Sequence, residues 1–467
     1  MATELFHSAP EPEKQLAHYS LLDALLARRS RRFGKGMRLN GGPLAYESTH
    51  EPEPLRLAEE AALAFAACGL TGYTMAELPY DTGNVAEAGG GNIIMNFVGR
   101  TAFSADAAHV ITVFVINDDG VWLLKRPQEY PRMEVPALVE AAREQRWLDL
   151  YEKSRVRIAD QRLDVPRKVP FVPPFNKWSA NVRGTTYFLP IAELSGLFIN
   201  VLLAAFSEDA SYFIVDERNN FRPAGVAKFA RSRGGYLYDN LLEDHTATLS
   251  LLDTWMYEFA AVEQGSILQN LALMSTALGL GGFPHLASHP FAWFQALDFR
   301  MTDLPFSRTI GAGPLMKSLL RALKKDIPMP TAVGLERDGQ VLIKPFCPPY
   351  YSTMEEAVLA FVEYKYAEGQ GTLRDGGAAS NWQDGAMVQA GIPRYSDQAI
   401  AATIACCEYI YSRYGRIPAT NGPFRTLMAY QAHHLDADFY RKFYRPEAER
   451  LPAPALGNVI GAIPETR

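Results

Sequence analysis

The chain has 467 residues, 48% hydrophobic and 21% charged, with a formal net charge of −6. That length and apolar content allow a sizeable core, in one large domain or two to three ordinary ones. The acidic balance excludes a broad attraction to nucleic acid or an anionic membrane, and four cysteines without Cys-x-x-Cys spacing exclude a disulfide framework and the usual cysteine metal sites.

Residues 1–19 are polar, lack a basic and apolar leader, and carry no secretory signal pattern. A reducing cytoplasm is the expected compartment. His18 to Arg29 reads as a helix with Leu21, Leu22, Leu25 and Leu26 facing inward. It runs into the basic stretch Arg28-Arg29-Ser30-Arg31-Arg32. Guanidinium forks and a serine hydroxyl suit an anion; a solvated helix end is the alternative.

Glu59 to Leu70 is an Ala-rich apolar helix, followed by the Gly-rich loop 88–92. That loop lacks the Gly-Lys-Ser/Thr of a phosphate loop. Val110 to Ile116 is a continuous β-branched run, and Asn117-Asp118-Asp119-Gly120 turns it into a second strand from Val121 to Leu124. Pro136 to Tyr151 is predicted helical. The Pro-rich 160–185 segment reads as a long irregular arm or lid. Ile191 to Phe206 is predicted to be a buried helix, too short to span a bilayer. Tyr212 to Val215 reads as a strand.

The stretch Val262 to Ser288 holds an apolar helix with Ile267, Leu268, Leu271, Met274 and Leu278 on one stripe. Gly279, Gly281 and Gly282 are predicted to end it. An irregular turn through Pro284 and His285 is expected next, offering main-chain N–H groups to a flat ligand. Core architecture alone also accounts for this pattern. Thr331 to Leu335 and Gln340 to Ile343 form a hairpin over an Arg-Asp-Gly turn. Met354 to Tyr366 and Gln398 to Tyr414 are helices. His433, His434, Asp436 and Asp438 are metal-ligand types in no standard spacing, so a helix cap is expected there and no metal.

No nucleophile elbow and no His-Glu-x-x-His occur. Protein-borne catalysis has little support, and a cofactor with its own chemistry fits better. His109 and His285 are the acid–base candidates to test, with a packed structural histidine the expectation for each. No residue is assigned a catalytic role.

Three of these stretches, in order, resemble the FMN-dependent nitroreductase superfamily. The first is the basic stretch 28–32. The second is Ser104-Ala105-Asp106-Ala107-Ala108-His109, similar to a Ser-x-x-Asn-x-Gln segment. The third is Gln269-Asn270-Leu271-Ala272-Leu273 through Ala277-Leu278-Gly279-Leu280, with the turn Phe283 to Ala287 after it. The resemblance implies an α+β fold, with a mostly antiparallel central sheet flanked by helices, in a homodimer with exchanged arms. It implies FMN held by Arg28, Arg29, Ser30 and Arg32, by Ser104, Asp106 and His109, and by the backbone of Pro284, His285, Leu286 and Ala287. Lys344 would complete the phosphate site.

The implied activity carries hydride or electrons from NAD(P)H to a small conjugated or nitroaromatic-like acceptor. Alternatives are a peptide or natural-product dehydrogenase of the azoline-oxidising kind, and a flavin-poor scaffold protein. Ala107 and His109 stand where the family has Asn and Gln, which motivates the scaffold. The domains expected are 1–19 as a loose N-terminus, 20–345 as the FMN domain with an insertion at about 125–215, and 346–467 as a helical extension.

Overall fold

The computed structural model describes residues 16, 19–77, 91–169, 171–242, 244–286, 290–377 and 380–446. In chain order, the elements that position the site are α1 (Leu21–Ala27), α2 (Leu57–Cys68), β1 (Ile111–Asn117), β2 (Gly120–Leu124), β3 (Arg155–Ala159), β4 (Thr185–Glu193), α3 (Ser195–Ala205), α4 (Leu249–Ala277), β5 (Gly281–Leu286), α5 (Met354–Tyr366), α6 (Asp397–Tyr414), β6 (Met428–His433) and α7 (Ala437–Phe443).

The class is mixed α+β, around a central antiparallel sheet. Its strands run in the order β5-β6-β4-β1-β2-β3, with Phe424–Arg425 pairing beside β6 on β4. Successive side chains of a strand point to opposite faces. Val113 and Val115 therefore face one core with α2, α3, α4, α5 and α6. Phe114 and Ile116 face a second core built on Trp293, Phe294, Phe299 and Leu335. A sheet buried on both faces explains why β1 and β4 read as unbroken apolar runs.

The β1–β2 hairpin forms as its turn residues predict, with Asp119 N–H donating to Asn117 Oδ1 at 2.9 Å. The hairpin Pro328–Arg337/Gln340–Ile343 forms over Asp338 and Gly339, both at positive φ. The helices predicted over 354–366 and 398–414 are α5 and α6, the second starting at Asp397.

Four expectations change. The helix predicted from Ile191 is a strand as far as Glu193, and α3 starts only at Ser195. A strand buried on both faces and a buried helix share the same unbroken apolar pattern. The helix predicted over 136–151 is two helices, broken at Gln145 with φ 58°. The Pro-rich arm folds back on its own chain: Gln431 accepts from Asn181 N–H and donates to the Ser179 carbonyl. The helix α3 is also buried inside the subunit. Finally, strands from 125–215 and from 346–467 lie within the one sheet. The sheet therefore crosses the expected boundary at residue 345.

The leucines of α1 also differ from the inward-facing stripe. Ser20 caps this seven-residue helix, but only Ala24 is buried. Leu21, Leu22 and Leu26 are each more than 60% exposed and Leu25 is 48% exposed. No helix among the described residues is long and apolar enough to cross a membrane.

Candidate functional site

The central helix α4 is longer than its apolar stripe suggested, starting at Leu249 under a Thr248 cap. It stops where predicted: Gly279 takes φ 68°, a left-handed value that suits glycine. The irregular turn expected at Pro284 is instead the regular strand β5, paired along its length with β6.

Gly282 N–H donates to the Arg31 carbonyl at 3.1 Å, on the side of β5 away from β6. Main-chain groups alternate sides along an antiparallel strand, so residues 282, 284 and 286 present theirs to the open edge. Pro284 has no N–H to leave unpaired, which suits an edge position. Pro284 and Leu286 are exposed, and Phe283 and His285 are buried on the other face. Beyond the Arg31 bridge at Gly282, about 13 Å of strand edge has no strand partner among the described residues, from the rise of about 3.3 Å per residue over residues 283–286.

The two glycines have a packing role rather than a ligand-facing one. A Cβ on Gly281 would lie 2.5 Å from His433 Nε2, and one on Gly282 would lie 2.3 Å from Tyr430 Oη. Both clashes are with fully buried rings that have nowhere to move.

The basic stretch divides into two pairs. Arg32 is an anchor: Nη2 donates to Asn176 Oδ1 at 2.7 Å, and the guanidinium lies over the Trp178 and Phe283 rings, 5.1 and 4.7 Å from their centroids. Arg31 is buried and donates to the Ala27 carbonyl. Arg29 donates to the Leu26 and Arg28 carbonyls, closing the end of α1. The Arg28 side chain has no hydrogen-bond or carboxylate partner among the described residues, and Ser30 is exposed beside it. Burial raises the Tyr430 phenol, against the opposing effects of neighbouring Ser275 and the Arg28 charge. Arg28, Ser30 and Tyr430 thus border the start of the open β5 edge.

The Ser104 segment is not with them. Ser104 Oγ donates to Glu263 Oε2 at 2.6 Å, and the same carboxylate accepts Val110 and Ile111 N–H. His109 Nε2 contacts the Val98 carbonyl at 2.7 Å, and burial drops its imidazole to about 3. Burial raises the Asp106 carboxyl, and its charged neighbour is the buried Lys365, itself dropped by burial to about 7. These residues pin the entry of β1 to α4. The entry lies at the Glu193 end of β4, whereas His433, beside Gly281, pairs with Thr185 at the other end. About 26 Å of strand separates the two ends.

Lys344 is also at the far end. It lines a cavity of about 230 Å³ with Arg126, Gln128, Glu129, Glu193 and Tyr364. That cavity has little anion-binding capacity left, because Arg126 grips Glu129 through two nitrogens at 3.0 and 3.1 Å. His285 is a packed ring: Nδ1 lies 3.0 Å from the Leu286 carbonyl, and burial lowers it to about 4, so it is neutral at pH 7. Ala287 lies outside the described residues.

Sequence reading missed Glu263, Arg100, Tyr430 and the contact of His434 with Glu59. Of these, only Glu263 carried a signal, as an acidic residue inside an apolar helix. His434 Nε2 lies 3.2 Å from Glu59 Oε2. Burial pushes the Glu59 carboxyl up, but His434 and Arg56 outweigh it and hold it at about 2. The folded value is thus below the unfolded one of about 4.3. Its stabilisation is complete above about pH 4.3 and is lost as pH falls through about 2. Glu59→Gln should flatten the acid limb of a stability–pH curve in that window, by on the order of 3 kcal/mol. Denaturant unfolding at stepped pH checks this; an unchanged limb would refute it.

No protein-family model matches the chain, and no curated protein matches it. Among solved structures, it is similar to a candidate nitroreductase from Ralstonia eutropha JMP134. The identity is 13% and the TM-score 0.28, over 60% of this chain and 77% of that one.

Proposed function

We propose that the chain is an oxidoreductase that holds FMN along the open edge of β5. The observation that carries this reading is the bridge between Arg31 and Gly282. It sets a basic turn, whose Arg28 guanidinium has no partner among the described residues, beside a strand edge that beyond Gly282 has no strand partner there either. The donor set fits a flavin mononucleotide in part. Arg28, Arg29 and Ser30 would hold the phosphate, and the outward backbone at Pro284 and Leu286 would face the ring. Arg32 would support the turn from behind. Bound there, FMN supplies hydride and electron transfer between NAD(P)H and a small conjugated or nitroaromatic-like acceptor. The chain's own part is to bind, orient and exclude water; buried His285 is neutral at pH 7 and does not serve as an imidazolium acid.

The site is shallow, and the exposed leucines of α1 lie directly before the basic turn. We propose a homodimer in which a second copy covers α1 and closes the site. Four large apolar side chains on one short helix make a patch of the kind that marks association. Leu22→Glu with Leu26→Glu should shift the protein from dimer to monomer in sedimentation velocity, with its circular dichroism unchanged. A wild-type monomer would refute the dimer.

One observation favours a scaffold instead: Ser104 is occupied by Glu263 of α4, His109 by the Val98 carbonyl, and Asp106 has the buried Lys365 as its charged neighbour. An absorption spectrum of the purified protein, with any released small molecule identified by mass, separates the two readings. Flavin bands and released FMN support the oxidoreductase. A colourless protein that refuses added FMN leaves the scaffold.

A further inference from the structure

We infer that His50, Asp436 and Asp438 form a site for one divalent transition-metal ion that clamps the N-terminal strap to the end of the sheet. Each residue offers one ligand atom, and these atoms all lie within 4.8 Å of one another. His50 Nε2 and Asp438 Oδ2 are 3.1 Å apart although 388 residues separate them in sequence. Bonds of about 2.0–2.2 Å place adjacent ligands about 3.0–3.5 Å apart. The wider pairs close by rotation of His50 and Asp438, whose side chains are 43% and 45% exposed.

Asp436 supplies the independent observation. It is fully buried, and its Oδ1 accepts the Phe439 N–H as the cap of α7. Its Oδ2 is buried with no hydrogen-bond partner, and no cation pairs with Asp436 among the described residues. A buried carboxylate oxygen left bare is costly unless a cation or donor meets it. Facing cations are few: Arg441 lies 3.3 Å from Asp438 Oδ1, the oxygen turned away from His50, and Lys442 sits over the Tyr46 ring. One imidazole with two carboxylates suits zinc, manganese, cobalt or nickel better than calcium or magnesium, which favour all-oxygen shells. The exposed side leaves room for water to complete the shell.

The position gives the ion a structural role. Just before Asp436, Leu435 bridges Gly34, and Gly34 follows the basic turn. The ion would hold the 46–50 segment, the Gly34 strap and α7 together.

The test uses the full chain, stripped with a chelator and titrated with Zn²⁺ alone by calorimetry, then with Co²⁺ followed by visible absorption. One equivalent of each per chain is expected. His50→Ala and Asp438→Asn should each weaken binding at least ~100-fold, beyond the ~10–100-fold typical of outer-shell changes. Asp436→Asn keeps the cap acceptor and should also abolish tight binding; should it fail to fold, the two half-exposed positions carry the test. Absence of binding in the wild type, or binding unchanged in all variants, overturns the site.

Discussion

Arg28→Ala should lose FMN while keeping the fold. A hydrogen bond to a charged group contributes about 1.5–3 kcal/mol, so affinity should fall about 10- to 150-fold. Arg28 is the appropriate target because it holds no other group in place among the described residues. Arg32→Ala is the contrasting control. Its guanidinium is sandwiched between Trp178 and Phe283 and bonded to Asn176, so its loss should lower the unfolding midpoint as well as any flavin content. Fluorescence titration with FMN, beside denaturant unfolding, checks both variants. Equal FMN affinity in the wild type and Arg28→Ala would sink the proposed phosphate site.

Glu263→Ala should be the most destabilising single change made in α4. The side chains of Glu263 and Arg100 are 2% and 1% exposed and approach to 3.5 Å. Glu263 also accepts the Ser104 hydroxyl and two N–H groups at the start of β1. Removing one partner strands the other charge in the core, which costs about 3–5 kcal/mol. Ser104→Ala removes one donor to that carboxylate and should cost about 1.5–3 kcal/mol. The urea midpoint should fall with the slope unchanged. A Glu263→Ala loss no larger than that of Ser104→Ala would show that the carboxylate does not organise this end of the sheet.

Strong local rules made parts of this fold legible. The β1–β2 hairpin followed from a β-branched run and an Asn-Asp-Asp-Gly turn. The Asp338-Gly339 turn and the stop at Gly279 followed from residues that accept positive φ. Helices α5 and α6 followed from their pattern, and the structure adds their caps, Thr353 and Ser396. In each case the residues that decide the conformation lie within one turn of one another.

The site was less legible, because residue type does not state what covers a residue. The arginines of 28–32 look alike in sequence. Only the packing of Trp178 and Phe283 made Arg32 an anchor, and only the Gly282 bridge brought the turn to the β5 edge. Gly281 and Gly282 looked like helix terminators, but they are clearance for His433 and Tyr430. The α1 leucines looked like core, yet they stay exposed among the described residues. His50 gave no signal near Asp436, since the 385 positions between them carry no local period. Sequence by itself therefore determined where the chain turns, caps and alternates, because those preferences are settled between near neighbours. The tertiary structure decided which charges are anchors and which remain available, because burial and partner geometry depend on contacts between distant segments.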